Sequence, residues 1–246
     1  MRAFAALISL ALVASGSAEE YLVEYDPSAG LFPEQEGWQR VWGDEQGPYH
    51  GSGADRSFED GALVLDTLYD PGVVEFYSRS GLPTGPEAGE MFFAEWRVRV
   101  EDLVGSYAFS TAIFSEYHTA VAFDFTTDSM YVTTDPSVGA SFAPGVFHTF
   151  TLRSSDMVTY QVEIDGAAAF WGSFHYSSSM PKVNWGEGVS GYASRCAWEY
   201  YRFGCVPEPG AAAMLLIALA CVGRVRIARG RVARGIWRDT SAQGEK

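Results

Sequence analysis

Two carboxylates on one side of a strand, about 5 Å apart, are what flanks a glycosidic bond during retaining hydrolysis. The chain offers Glu163-Ile164-Asp165, but Gly166-Ala167-Ala168-Ala169 follows with no further acid, and Asp165-Gly166 reads as the tight turn of a hairpin because glycine accepts a positive φ. The four histidines, His50, His118, His148 and His175, show none of the short spacings that build a zinc site. His148, within Phe147-His148-Thr149-Phe150, reads as an inward-facing, hydrogen-bonded ring. A Gly-x-Ser-x-Gly elbow, a phosphate loop and a dinucleotide fingerprint are all absent from the sequence. No catalytic residue is assigned, and the chain is expected not to be an enzyme.

Binding chemistry has more candidates. Asp124, Asp128 and Asp135 surround a hairpin at 125–135, and Asp55, Glu59 and Asp60 cluster in a second loop. Neither run has the alternating oxygen-ligand spacing closed by a glutamate that marks a calcium loop, so they read as solvated acids. Calcium is the one candidate ion, and no cofactor or metal ligand is assigned. Sugar rings stack their C–H faces on indoles and phenols. Trp38, Trp42 and Tyr49 precede the first strong strand, while Phe170-Trp171 and His175-Tyr176 lie on or after the Asp-Gly hairpin. Trp38 and Trp171 are the candidate ligand-binding residues, with an extracellular glycan as partner.

Short runs of aromatic and β-branched residues, punctuated by Gly, Pro, Asp and Ser, must carry these groups, with no amphipathic helix of useful length. Strands are predicted at 21–25, 62–66, 73–77, 91–101, 107–114, 119–125, 129–133, 147–153, 158–164, 168–174 and 197–203. Alternation turns Phe92, Ala94, Trp96, Val98 and Val100 one way and Phe93, Glu95, Arg97, Arg99 and Glu101 the other. It likewise turns Val158, Tyr160, Val162 and Ile164 inward and Thr159, Gln161 and Glu163 outward. Many strands without helices imply an all-β fold of two packed antiparallel sheets.

Charge divides along the chain: residues 19–205 carry 28 acids against 9 bases, and residues 210–246 carry 7 bases against 2 acids. Nucleic acid is therefore excluded as a partner of the folded part, since a phosphate backbone is bound by Lys and Arg clusters. Arg2, an apolar run from Ala3 to Val13 and small residues through Ala18 have the layout of a signal peptide over 1–18. At the other end come Pro207-Glu208-Pro209, 13 largely apolar residues at 211–223, and Arg224, Arg226, Arg229, Arg231 and Arg234. Two prolines so close end the folded domain. The apolar stretch would make a helix of about 20 Å, short of a ~30 Å hydrocarbon core, and the arginines predict a cytoplasmic C-terminus.

This tripartite end, over 206–234, resembles the PEP-CTERM sorting signal and is followed by a polar tail at 235–246. The resemblance implies that Pro207, Glu208 and Pro209 are the sorting motif read by an exosortase-type membrane peptidase. The protein would then be anchored transiently in the inner membrane and passed to the envelope, outer surface or extracellular matrix.

Between the ends, over 19–205, the chain looks like a concanavalin A-like, laminin-G-type jelly roll. The resemblance is carried by Phe92 to Val100, Thr119-Ala-Val-Ala-Phe-Asp-Phe125, Pro144-Gly-Val-Phe-His-Thr-Phe-Thr-Leu152, Tyr160 to Gly166 and Trp198-Glu-Tyr-Tyr-Arg-Phe203. That family includes lectins, adhesion modules and glucanases, and its retaining β-glucanases carry Glu-x-Asp-x-x-Glu on one strand. The second glutamate is missing here, which turns the expectation toward non-catalytic adhesion or glycan contact; a polysaccharide-active enzyme and a purely structural envelope component are the alternatives. Cys196 and Cys205, if they lie on one extended strand, are about 30 Å apart and cannot pair with each other.

Overall fold

The computed structural model describes residues 21–42, 54–69, 75–80, 85–106, 110–187 and 193–208. The signal peptide, Tyr49, Pro209, the 211–223 helix, the arginine-rich end and the polar tail lie outside them. Among the described residues no helix is long and apolar enough to cross a membrane. Their strands are β1 Tyr21–Tyr25, β2 Gln39–Trp42, β3 Asp55–Glu59, β4 Ala62–Asp66, β5 Glu75–Ser80, β6 Glu90–Val104, β7 Ser110–Phe114 and β8 Thr119–Phe125. β9 Ser129–Val132, β10 Asp135–Ser141, β11 His148–Ser154, β12 Thr159–Ile164, β13 Ala167–Ser173, β14 His175–Tyr176, β15 Lys182–Glu187 and β16 Ala193–Pro207 complete the set. Short 3-10 turns at Pro27–Ala29 and Pro33–Glu36 are the helical elements.

The strands form two antiparallel sheets packed as a sandwich. The first runs β13-β12-β11-β6-β16-β4-β3, with β1 also pairing β16; the second runs β10-β9-β8-β7-β15-β5-β2, with β14 pairing β8. Period-two alternation builds the shared core: Phe92, Ala94, Trp96, Val98 and Val100 of β6 are all buried. The opposite face of β6 meets ion pairs, with Arg97 2.5 Å from Glu199 and Arg202 2.6 Å from Glu95. Phe93, on that opposite face, is buried all the same; it stands across from Arg153, one pair before the end of the β6–β11 ladder.

Five strands escape the pattern: β2, β3, β10, β14 and β15. β10 reads Asp-Pro-Ser-Val-Gly-Ala-Ser and β3 carries three charges in five residues, so neither has an apolar stripe; both lie at sheet edges. β15 has only Val183 and Trp185 as large apolar residues and is nevertheless central. Val158 corrects a predicted inward position. Asp156 accepts the Val158 N–H at 2.8 Å in the turn before β12, which leaves Val158 58% exposed while Met157, at φ 52°, enters the core.

β16 runs unbroken from Ala193 to Pro207, so the first proline of Pro207-Glu208-Pro209 closes a strand and Glu208 follows it. Cys196 and Cys205 sit on this strand as buried free thiols. Its alternation slips once: Trp198 faces the core, Glu199 and Tyr200 both reach outer-face partners in Arg97 and Glu95, and Tyr201 turns inward again.

Within this core Glu187, at the end of β15, is almost wholly buried and has no cation beside it among the described residues. It accepts from the Ser194 hydroxyl and lies 3.7 Å from Cys196 Sγ, with Thr67 bonded to the Ser194 backbone. Burial pushes its carboxyl up to about 8, Asp66 adding to the rise and the Ser194 and Cys196 contacts opposing it. The folded chain therefore holds a proton there that the unfolded chain, titrating near 4.5, releases. Stability falls as pH rises from about 4.5 to about 8, by at most roughly 1.4 kcal/mol per pH unit, and levels off above. Urea unfolding at pH 5 and pH 8 is expected to show this fall in the wild type and a flatter profile in Glu187→Gln; equal slopes would refute it.

Candidate functional site

The hairpin of β12 and β13 hangs at the edge of the first sheet, and three local devices set its shape. Asp156 braces the turn entering β12 by accepting the N–H groups of Val158 and Thr159 at 2.8 and 2.9 Å, and these bonds, with the Ser154 hydroxyl, hold its carboxyl below the ordinary aspartate range. Asp165-Gly166 turns the hairpin with φ 52° and 77°, two positive values in succession, as the sequence suggests. Asp165 also clamps the hairpin to β11. Its Oδ2 lies 2.7 Å from His148 Nδ1, its Oδ1 accepts the Thr149 N–H at 2.9 Å, and His148 Nε2 donates to the Ala143 carbonyl at 2.8 Å. Against the cost of partial burial, these donors hold the Asp165 carboxyl low.

The third device is a bulge. Register runs Ile164 to Ala167 and Glu163 to Ala168, then skips Ala169, so that Val162 meets Phe170 and Gln161 meets Trp171. Without the extra residue Trp171 would stand opposite Tyr160, an inward position; the skip turns it to the outer face. Trp171 is 65% exposed while Phe170 beside it is buried. Gly172 then falls opposite Tyr160, whose ring occupies the place of the missing side chain: a Cβ at Gly172 would collide with Tyr160 Oη and Cζ. Burial, helped by Asp135, holds the Tyr160 phenol up at about 12, so it remains a neutral hydroxyl.

Trp171 forms one wall of an open groove of about 540 Å³ whose lining includes Arg153, Ser155, Thr159, Gln161 and Ser173. The groove offers a flat indole, an amide, a guanidinium and three hydroxyls, a set able to stack an apolar ring face and hydrogen-bond its substituents.

Trp38, the other candidate, is corrected to a core residue. It is 2% exposed, with ring centroids of Trp185, Tyr201 and Phe203 at 5.8, 5.9 and 6.1 Å. Gly37, at φ 86°, ends the 3-10 turn before it and swings the indole between the sheets. Tyr176 is 79% exposed on β14 and does not line the groove. Four of the candidate calcium acids have separate surroundings. Asp128 accepts from Thr126 and Asp135 from Ser137, Glu59 pairs with Arg195, and the Asp124 carboxyl is raised by burial with Thr133 opposing. Among the described residues no three His, Cys, Asp or Glu side chains gather to hold a metal ion.

No protein-family model matches the chain, and no curated protein does. Solved structures do match. A carbohydrate esterase of bacteriophage phi24B aligns at TM-score 0.56 and 10% identity, over 76% of this chain and 98% of that one. An endo-1,3-beta-glucanase from Streptomyces sioyaensis aligns at 0.53 and 14%, over 76% and 96%. A Bacillus subtilis protein of unknown function with a galectin-like fold aligns at 0.50 and 10%, over 76% and 100%. One of these neighbours is described as having a galectin-like fold, and the shared feature is the fold. At these identities the likeness is one of fold and assigns no residue a role.

Arg153, Ser155 and Ser173 went unnoticed as groove residues because strand pairing gathers them: Arg153 meets Gln161 across β11 and β12, and the bulge brings Trp171 and Ser173 to the same face, which no local pattern shows. Two substitutions separate structure from surface here. Gly172→Ala is expected to cost about 1–3 kcal/mol in urea unfolding, as overpacking against Tyr160. Trp171→Ala is expected to stay within about 0.5 kcal/mol of wild type, as befits an exposed side chain; the reverse order would show that the indole is structural.

Proposed function

We propose that this chain is an exported, non-catalytic glycan-binding β-sandwich of the concanavalin A-like, laminin-G type, sorted to the cell envelope or matrix through its C-terminal segment. The observation that carries the reading is the Trp171 groove, in which a bulge exposes a tryptophan beside an amide, a guanidinium and hydroxyls on a braced hairpin. A large aromatic with no core role, set among hydrogen-bonding groups, is what recognition of a pyranose requires. Neighbours whose names denote carbohydrate esterase and glucanase activity are consistent with a saccharide as the ligand class.

Against catalysis stands the state of the acidic pair Glu163 and Asp165 singled out in the sequence. Asp165 has both carboxylate oxygens engaged by His148 and Thr149, and Glu163 lies 3.4 Å from Arg153 Nε. Neither is poised to protonate or attack a glycosidic bond, as a retaining pair must be. For sorting, support comes from the order of parts: a strand that closes at Pro207, the Pro-Glu-Pro motif, a short apolar run and the arginines. An exosortase-type peptidase is the partner this order fits.

On a glycan array the purified chain is expected to capture saccharides, and Trp171→Ala to lose at least ten-fold in affinity with an unchanged melting temperature. Turnover of a β-glucan by the wild type would overturn the non-catalytic part. Mass spectrometry of the mature protein from cells is expected to show loss of residues 1–18 and of the segment after the Pro-Glu-Pro motif; an intact C-terminus at Lys246 would replace sorting by simple anchoring.

A further inference from the structure

The nine basic side chains of residues 19–205 are not equally committed. Arg40 makes two bonds to the buried Glu75, at 2.9 and 2.7 Å, and Arg56 bonds Glu34 at 2.7 Å and stacks on Phe32. Arg79 donates to the Glu36 carbonyl at 2.5 Å and lies over the Trp38 ring. Arg97 holds Glu199 and Thr149, Arg99 holds Glu101 over the Phe147 ring, Arg202 holds Glu95, and Arg195 is bonded to Glu59, Asp66 and Glu101 together. Lys182 lies over the Phe114 ring.

Arg153 differs. Its one ionic contact runs from Nε to Glu163 at a long 3.4 Å, so its two terminal nitrogens have no carboxylate among the described residues. Its side chain is 35% exposed, and it lines the groove with Trp171. Every other arginine of residues 19–205 has a terminal nitrogen bonded to a carboxylate, a carbonyl or a hydroxyl; those of Arg153 make no such bond among the described residues, and they stand beside an exposed indole.

We infer that the groove selects an acidic saccharide: a uronate-type pyranose whose ring stacks on Trp171 while its carboxylate meets the Arg153 fork. This rests on the groove being the glycan site. A guanidinium presents two parallel N–H donors at the spacing of a carboxylate's oxygens, and such charge-assisted pairs are about twice as strong as neutral hydrogen bonds. Gln161, Thr159 and Ser173, aligned across the hairpin with Trp171, supply donors and acceptors for the ring hydroxyls. Glu163 holds the Nε side of Arg153 and orients the terminal nitrogens away from itself. The excess of acids over the whole domain repels long polyanions, so the groove suits a short stretch or chain end, where one local cation acts within a Debye length of about 10 Å.

The test compares a tetragalacturonate with its methyl ester, which keeps the ring and removes the charge, by calorimetry on the full chain in 150 mM salt. The free acid is expected to bind at least ten-fold more tightly than the ester. Arg153→Gln is expected to abolish that preference without shifting the melting temperature, and Glu163→Gln, which removes the competing carboxylate, to widen it. Trp171→Ala is expected to weaken both ligands. Equal binding of acid and ester, or a preference surviving Arg153→Gln, overturns the acidic selectivity and leaves the glycan reading standing. Failure to bind the acid, the ester and neutral gluco-oligosaccharides alike overturns both.

Discussion

The two sheets meet through packed aromatic rings, and one phenol stands among them with an indole on either side. Tyr201 of β16 lies between two indoles, with Trp96 of its own sheet at 5.8 Å and 12° and Trp185 of the facing sheet at 5.6 Å and 9°. Trp185 in turn meets Tyr25, Tyr77 and Trp198 at 5.3, 4.8 and 4.8 Å, which carries the cluster from one sheet to the other. The Tyr201 hydroxyl is satisfied by Thr111 at 2.9 Å, so this fully buried phenol leaves no orphan donor. Each such ring pair adds about 0.5–1.5 kcal/mol beyond its buried area. A core made of large flat rings tolerates few relative placements of the sheets, and this fixes where the edge hairpin can hang.

From that frame outward the chain changes character. Behind the rings, the outer face of the first sheet is a lattice of arginines and carboxylates that keeps the surface wet and its cations occupied. Exposed pairs of this kind contribute little to stability, typically under about 1 kcal/mol each. Their effect is to leave one stretch of the sheet unlike the rest: the β12–β13 edge, where an indole faces water and a guanidinium is loosely held.

The parts legible in the sequence are those written in period two or in turn chemistry. β6, β11 and β12 were readable because their inward residues alternate, and Asp165-Gly166 because few residues accept two positive φ values in a row. His148 was readable as a satisfied inward ring because it sits two residues from Phe150 on a strand. What could not be read was set by non-local pairing. β15 is held centrally by neighbours on both sides although its own pattern is weak, and Trp38 is buried by a 3-10 turn ending in Gly37. The Trp171 indole was singled out for its type alone. The residues that surround it belong to β11, β12, the turn between them and β13 itself, and only the register brings them to one place.

That register rests on a single alanine. In a hairpin paired one-to-one, Trp171 would be another ring among the many already inside, and Phe170 would face water in its stead. Ala169 thus acts as a phase shifter: a three-nucleotide change in the gene is enough to trade a contact surface for additional interior, with no change in which amino acids the strand employs on either side. Recognition in this molecule is a matter of counting as much as of composition.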